Sequence, residues 1–310
     1  MVDSKKQWKA WLYLSPALIL LLIFTVWPMI NTFIMAFSEG YNGMSAVAGE
    51  KFKFGFGNFA QVVRAGGPFL KCLKNTMLLC FITVPISTML ALLIAVCLNA
   101  IKPLQKLLQT IFFLPYVTNT IAIGMVFAVM FNVVGIHTPH ESIGIINSVI
   151  VAFGGERIDW INITSSYWAN MFVLIVYIVW NALPFKILIL LGGLQSVNKQ
   201  YYEAAKVDGT SRIRTFWRIT VPMLSPMLAY VVITGFIGGF KEYSSVVGIF
   251  GEQMGPVGSK GRLNTMIGLI YDALETGDYG RASAAALILF VIIFIVTMIN
   301  MYVSKKKVHY

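Results

Sequence analysis

The chain has 310 residues, of which 57% are hydrophobic and only 12% charged. A water-soluble domain carries about a quarter charged residues, so these proportions exclude an ordinary soluble enzyme and indicate a polytopic membrane protein. The formal net charge of +11 would suggest nucleic acid in a soluble chain, but in a membrane protein the side on which the charge lies matters more than its sum.

Six apolar segments, near 11–37, 76–98, 110–132, 167–190, 224–250 and 282–303, each reach the length a hydrocarbon core demands. Only helices and closed barrels satisfy their backbone in lipid, and continuous runs of this length predict helices. The expected fold is therefore all-α: one membrane domain over 1–310 with six transmembrane helices. Lys5, Lys6 and Lys9 ahead of the first run imitate a signal peptide. The run from Trp11 to Phe37 is too long for a signal-peptide core, so it is read as a retained anchor. With the N-terminus inside, the segments 1–10, 99–109, 191–223 and 304–310 hold 13 basic and 3 acidic residues, against 9 and 9 for the outside segments 38–75, 133–166 and 251–281. Both termini are thus expected in the cytoplasm. Lys51, Lys53, Arg64, Lys71 and Lys74 run against the rule, in an outside segment long enough to weaken their vote.

Polar positions inside the spans come next. On the third, Tyr116, Asn119, Thr120 and Ile123 share a side; on the fourth, Asn170, Tyr177, Asn181 and Pro184 do, with Phe185 beyond them. Lys186 is a few residues from the expected cytoplasmic end of its helix, so its ammonium is expected to snorkel to the interface. On the fifth, Gly235, Gly238, Gly239 and Glu242 fall at i, i+3, i+4 and i+7. Such a face either packs closely on another helix or lines a polar path, with Phe240 and Tyr243 beside it.

Between the fourth and fifth spans the loop 196–223 carries Lys199, Lys206, Arg212, Arg214 and Arg218 with two acids, Glu203 and Asp208. Asn198 is placed to cap a helix through Tyr201–Val207, and Gly209 suits a left-handed residue after its end. Thr210 or Ser211 is placed to cap a second helix, Arg212–Ile219, that stops before Pro222. Ala204 and Ala205 are expected to leave a flat patch for another surface. The physics alone leaves two readings open: an amphipathic element resting on anionic lipid, or a protein-docking element.

Nothing in the chain is equipped for catalysis. The sequence "GEQMGPVGSKG" lacks the spacing of a phosphate loop. In "HTPHE", His137, His140 and Glu141 have an i,i+3 pair, but Pro139 interrupts any helix that would hold a metal, so a polar loop is expected. Cys72, Cys80 and Cys97 offer neither a disulfide framework nor metal spacing and are read as small apolar residues. No metal, no cofactor of its own and no nucleic-acid partner are expected.

Glu203-Ala204-Ala205, three residues, Gly209, nine residues, Ile219, one residue, then Val221-Pro222 resembles the EAA loop of ABC-importer permeases, EAA-x3-G-x9-I-x-L-P, departing from it only at Val221. The blocks "YLSPALILLLIFTVWPMINTFIMAFSEG", "FGNFAQVV", "FLKCLKNTMLL" and "FFLPYVTNTIAIGMVF" are similar, in order and spacing, to carbohydrate-importer permeases of the maltose and glycerol-phosphate type. The resemblance covers roughly 11–306. It implies a permease subunit in a bacterial inner membrane, paired with a second permease as a heterodimer. Two ATP-binding subunits, which would hold ATP and Mg, and an extracytoplasmic sugar-binding protein would complete the importer. The loop would couple to the ATPase through Glu203, Ala204, Ala205, Asp208, Gly209, Ile219 and Pro222, with Glu203 making a charged contact, Asp208 a possible second acid and Gly209 the turn. In the same family the cavity is lined at segments matching "LPYVTNT", "WNALPF" and "GFKEY". That points to Tyr116, Thr120, Asn181, Phe185, Gly239, Glu242 and Tyr243 as substrate-path residues, each with helix packing as its alternative. "GFKEY" is charged where maltose-type permeases are amide-rich, which leaves the identity of the sugar open. A permease for a polyamine or amino acid, or an ion-coupled secondary transporter using Glu242, are the competing readings.

Overall fold

A computed structural model describes residues 7–47, 52–101, 105–134 and 142–307 of the chain. The "HTPHE" segment lies outside the described residues. In chain order the helices are α1 (Gln7–Leu21), α2 (Trp27–Phe37), α3 (Gly43–Val47), α4 (Gly57–Val63), α5 (Phe69–Ala100), α6 (Gln105–Val117), α7 (Thr120–Phe131) and α8 (Ile145–Ala152). They continue with α9 (Tyr167–Ser196), α10 (Lys199–Val207), α11 (Arg212–Thr215), α12 (Val221–Met223), α13 (Ser225–Phe240), α14 (Ser244–Phe250), α15 (Met266–Glu275) and α16 (Tyr279–Lys307). A two-residue antiparallel ladder, Val133–Val134 with Ser142–Ile143, is the one sheet among the described residues.

Four helical stretches are long and apolar enough to cross a membrane: Trp8–Phe37, Phe69–Ala100, Tyr167–Ser196 and Tyr279–Lys305. Two further candidates are bent pairs, Leu107–Val117 with Thr120–Phe131 at 99° and Arg212–Met223 with Ser225–Phe240 at 67°. The third apolar segment, expected as a continuous helix over 110–132, is broken by the first bend; the 67° bend falls at Leu224, where the fifth begins, and that segment, expected as continuous over 224–250, is interrupted instead between Phe240 and Ser244. In the third, the side chain of Asn119 accepts from the Ile121 and Ala122 amides at 2.9 and 3.2 Å, starting a new helix two residues after Val117. In the fifth, α13 ends at Phe240, and the Glu242 carboxylate accepts from the Ser245 amide at 3.1 Å as α14 begins. Glu242 thus lies in a break and not on the helical face expected of it.

Two of the prolines that helices pass without a stop follow π-helical turns. The π-helical turns Leu22–Val26 and Phe216–Thr220 precede Pro28 and Pro222 by two residues. A proline ring strikes the carbonyl four residues before it in an α-helix. Here those carbonyls, of Phe24 and Arg218, lie inside the widened turns, where an extra residue per turn gives the ring room. Hence the helix expected to stop before Pro222 continues to Met223.

The chain divides into two compact units, 1–70 with 269–290, and 71–268 with 291–310. In the first, Asn58 is buried and its amide donates to the carbonyls at Ala36 (3.1 Å) and Ser38 (2.8 Å), tying α4 to the end of α2. The second holds two cores. One gathers Leu79, Met171, Leu174, Tyr177, Val246 and Phe250; the other gathers Ala91, Ala95, Ile187, Leu190, Leu224 and Val231. Helices α7 and α14 cross at glycine: a Cβ on Gly124 would lie 2.7 Å from Gly248 Cα. Small residues at such a crossing let two backbones touch in lipid.

The glycine-rich segment after α14 is also held in place. Asn75 donates to the carbonyls of Arg262 (3.2 Å) and Asn264 (2.9 Å) and accepts from the Tyr167 hydroxyl at 2.8 Å. Arg262 donates to the Ser165 carbonyl at 2.8 Å, and Met266 N to the Thr76 hydroxyl at 2.9 Å. Asn170, expected on a polar face of the fourth span, is fully buried and donates to the Trp160 carbonyl and the Ser165 hydroxyl at 2.7 and 2.8 Å. Its role is to anchor the loop that precedes its own helix.

Candidate functional site

The breaks in the third and fifth apolar segments face the same space. A cavity of about 410 Å³ is walled by α5 at Thr83 and Ser87, by the α6–α7 break at Tyr116 and Thr120, by α9 at Asn181, Phe185 and Lys186, and by α13 and its end at Gly235, Gly239 and Glu242. Non-helical backbone at membrane depth is tolerated where it lines such a cavity. The Tyr177 hydroxyl, in the core, donates to the Thr120 carbonyl and so pins the first turn of α7.

Of the substrate-path residues expected from sequence, Tyr116, Thr120, Asn181, Phe185, Gly239 and Glu242 line this one cavity. Tyr116 and Phe185 stack with centroids 5.8 Å apart and planes inclined by 18°. Gly239 does double duty, since a Cβ there would lie 2.8 Å from Cys80 Sγ. Tyr243 does not line the cavity; it packs against the core around Tyr177 and Val246, because the end of α13 turns it away from the face of Gly235 and Gly239. Asn119 is engaged as a helix cap.

Lys186 is the residue that sequence reasoning placed wrongly. It is 5% exposed, and its ammonium donates to Ser87 Oγ at 2.7 Å, Thr88 Oγ1 at 3.0 Å and the Val84 carbonyl at 3.2 Å. Snorkelling needs an apolar path to the interface, whereas these α5 acceptors lie beside it. The hydroxyls at Ser87 and Thr88, one helix away, were the signal available in the sequence.

The loop between α9 and α13 has the expected anatomy. Asn198 accepts from the Gln200 amide at 3.0 Å and caps α10. At the other end Gly209 has φ +64°, with Gly209 N donating to the Lys206 carbonyl at 3.1 Å and Thr210 N to the Ala205 carbonyl at 2.9 Å. That pair of bonds is the Schellman closure of a helix. Ser211 then caps α11, its hydroxyl accepting from the Arg214 amide at 3.4 Å. Glu203, Ala204, Asp208 and Gly209 are exposed, while Ile219 and Pro222 are half-buried. Ala205, expected beside Ala204 on an open patch, is buried, since successive residues of a helix point about 100° apart. Hydrophobic side chains nevertheless stand outward here: Val207 is 89% and Ile213 74% exposed.

The sequence was compared with known families and proteins. The family described as "Binding-protein-dependent transport system inner membrane component" matches residues 81–309. The arabinooligosaccharides transport system permease protein AraP of Halalkalibacterium halodurans is 28% identical over 294 residues, covering 94% of this chain and 86% of the relative. The lactose transport system permease protein LacF of Rhizobium radiobacter is 27% identical, covering 96% and 94%. Among solved structures, a bacterial ABC transporter involved in the import of the acidic polysaccharide alginate contains a chain that superposes with a TM-score of 0.78, at 22% identity, over 97% of this chain and 96% of that one. The fold is thus that of ABC-importer permeases.

Proposed function

Because the chain belongs to the family of inner membrane components of binding-protein-dependent transport systems, we propose that it forms half of the path by which an ATP-driven importer carries a short saccharide into a bacterial cell. In this reading six spans cross the cytoplasmic membrane with both termini inside, the bent pair α6 and α7 counting as the third and α13 with α14 as the fifth. A second permease supplies the other half of the path, two ATPase subunits bind ATP and Mg, and an extracytoplasmic binding protein delivers the sugar. The relatives' cargoes, arabinooligosaccharides and lactose, support a saccharide over a polyamine or an amino acid.

The observation that carries the reading is the composition of the cavity. A stacked aromatic pair, Tyr116 and Phe185, stands with Thr120, Asn181 and Glu242 around about 410 Å³. Sugars present flat apolar ring faces edged by hydroxyls, so aromatic platforms beside a few amide, hydroxyl and carboxylate groups match them. The loop supplies the transmission: α10 offers Glu203, Ala204 and Asp208 outward and continues through α11 and the π turn to α13, whose far end is the cavity wall. The test is uptake of labelled oligosaccharide by proteoliposomes holding the co-purified importer and its binding protein. ATP-dependent uptake by the wild type, lost in Glu203→Lys with the complex still assembled, is the expected result. Uptake by this chain alone without ATP would overturn it.

A further inference from the structure

Among the described residues lining the cavity, Lys186 is the one cation and Glu242 the one carboxylate. The three hydrogen bonds of the Lys186 ammonium all run to neutral groups of α5, and the hydroxyls of Ser87 and Thr88 pass their own protons on to the carbonyls of Thr83 and Val84. Its N–H groups are satisfied and its charge is not, because no carboxylate stands within ion-pair distance of it among the described residues. A brace between α9 and α5 needs only an amide; an ammonium at this depth adds a membrane-insertion cost that an amide avoids. What the ammonium adds is a positive field in a low-dielectric cavity.

The opposite charge is at another level. A Cβ on Gly235 would lie 3.3 Å from Lys186 Nζ, and Glu242 follows seven residues later, beyond the end of α13. Between them a Cβ on Gly238 would meet nothing within 4 Å, whereas Gly239 is closed by Cys80. The Glu242 carboxylate accepts from the Ser245 amide and also lines the cavity, where a carboxylate, with about four acceptor sites, can take a ligand hydroxyl as well.

We propose that the cavity selects a saccharide bearing one carboxylate, such as a uronate-ended oligosaccharide, with the acid at the level of Lys186 and hydroxyls donated to Glu242. The proposal rests on the reading of the cavity as a saccharide path. A neutral sugar leaves the ammonium without a counter-charge, and a dianionic phosphate brings one charge more than Lys186 matches while Glu242 repels it. Lys186 acts by its charge, its hydrogen bonds being spent within the protein, so it is a specificity-determining residue. At separations of several ångströms and an effective dielectric constant near 20, that charge is worth about tenfold to a hundredfold in affinity.

The experiment is direct binding to the importer complex in nanodiscs without its binding protein, comparing a neutral pentose oligosaccharide, the same oligosaccharide ended by glucuronate, and a sugar monophosphate. The wild type is expected to bind the uronate at least tenfold more tightly than either other ligand. Lys186→Met is expected to erase that preference, so that the uronate-ended and neutral oligosaccharides bind alike, and Lys186→Arg to keep it. Lys186→Gln, which retains donors for the brace, serves if the Met variant fails to assemble and is expected to lose the preference likewise. Equal loss of both saccharides in Lys186→Gln would make Lys186 a brace only and overturn the proposal. Tighter binding of the phosphate would overturn the choice of a monoanion. A wild type that binds the neutral sugar without charge preference sinks this inference alone; one that binds no saccharide sinks the transport reading with it.

Discussion

Gly209 gives a clean test of the loop, because the structure separates conformation from space there. Its φ is +64°, and a Cβ built on it meets nothing within 4 Å. Any side chain fits, so a substitution is penalised only for the left-handed backbone. For an L-residue that conformation costs roughly 1–2 kcal/mol, which shifts the capped turn against other loop conformations by about five- to thirtyfold. Asparagine tolerates the region and pays least, alanine pays the usual cost, and a β-branched residue pays more. ATP-dependent uptake in proteoliposomes is therefore expected to fall in the order Gly209, Gly209→Asn, Gly209→Ala, Gly209→Val, with about tenfold or more between the ends. Membrane insertion and expression should stay level, since no packing is disturbed. Uptake by Gly209→Val at the wild-type rate would show that the Schellman closure at Lys206 and Ala205 has no part in coupling.

Gly124→Leu forces the backbones of α7 and α14 apart, because its Cβ alone would lie 2.7 Å from Gly248 Cα. Overpacking of this kind costs about 1–3 kcal/mol, so a lower melting temperature of the complex is expected, measured by thermal aggregation in detergent. Tyr177→Phe removes a donor to the Thr120 carbonyl, which keeps its bond within α7, at about 0.5–1.5 kcal/mol; oligosaccharide affinity should weaken more than assembly does, as a titration beside the melt would reveal. Asn75→Leu deletes the bonds that hold Arg262, Asn264 and Tyr167. The 251–261 segment should then be cut several-fold faster by protease added to the detergent-solubilised complex, while cleavage at an unchanged rate would mean the remaining contacts suffice.

Local chemistry was well marked in the sequence. Asn198, Gly209 and Ser211 act at the ends of α10 and α11 as their residue types predict, because a cap depends on one short side chain and a left-handed turn on one missing Cβ. The long apolar runs of α5, α9 and α16 were equally plain, their length being set by the bilayer. Six of the seven residues assigned to the substrate path share a cavity, but Tyr243 turns into the core, since its direction depends on where α13 stops and no periodicity marks that point. Asn75, fixing loop carbonyls nearly 190 positions away, illustrates the same limit: a long-range partner leaves no local trace.

The breaks explain why hydropathy read the third and fifth segments as straight. A window average counts Thr118, Asn119, Glu242 and the glycines of α13 as small subtractions from long apolar runs, whereas the backbone counts them as caps and stops. Each stop then demands polar partners, and within lipid these must come from the protein itself. Asn119 supplies them for α7, and Glu242 supplies one at the start of α14. The carboxylate that a straight helix would have to justify by function alone is thus also required by the break it sits in. Glu242, Lys186 and the glycines of α13 line one cavity, which makes the same interruption a place where a polar cargo can rest. Glu242→Gln discriminates between the two duties of the carboxylate, because glutamine retains an acceptor for the Ser245 amide and loses the charge. Unchanged assembly with saccharide affinity lowered about tenfold is expected, measured by titration of the intact complex; loss of assembly instead would assign the carboxylate to the break alone.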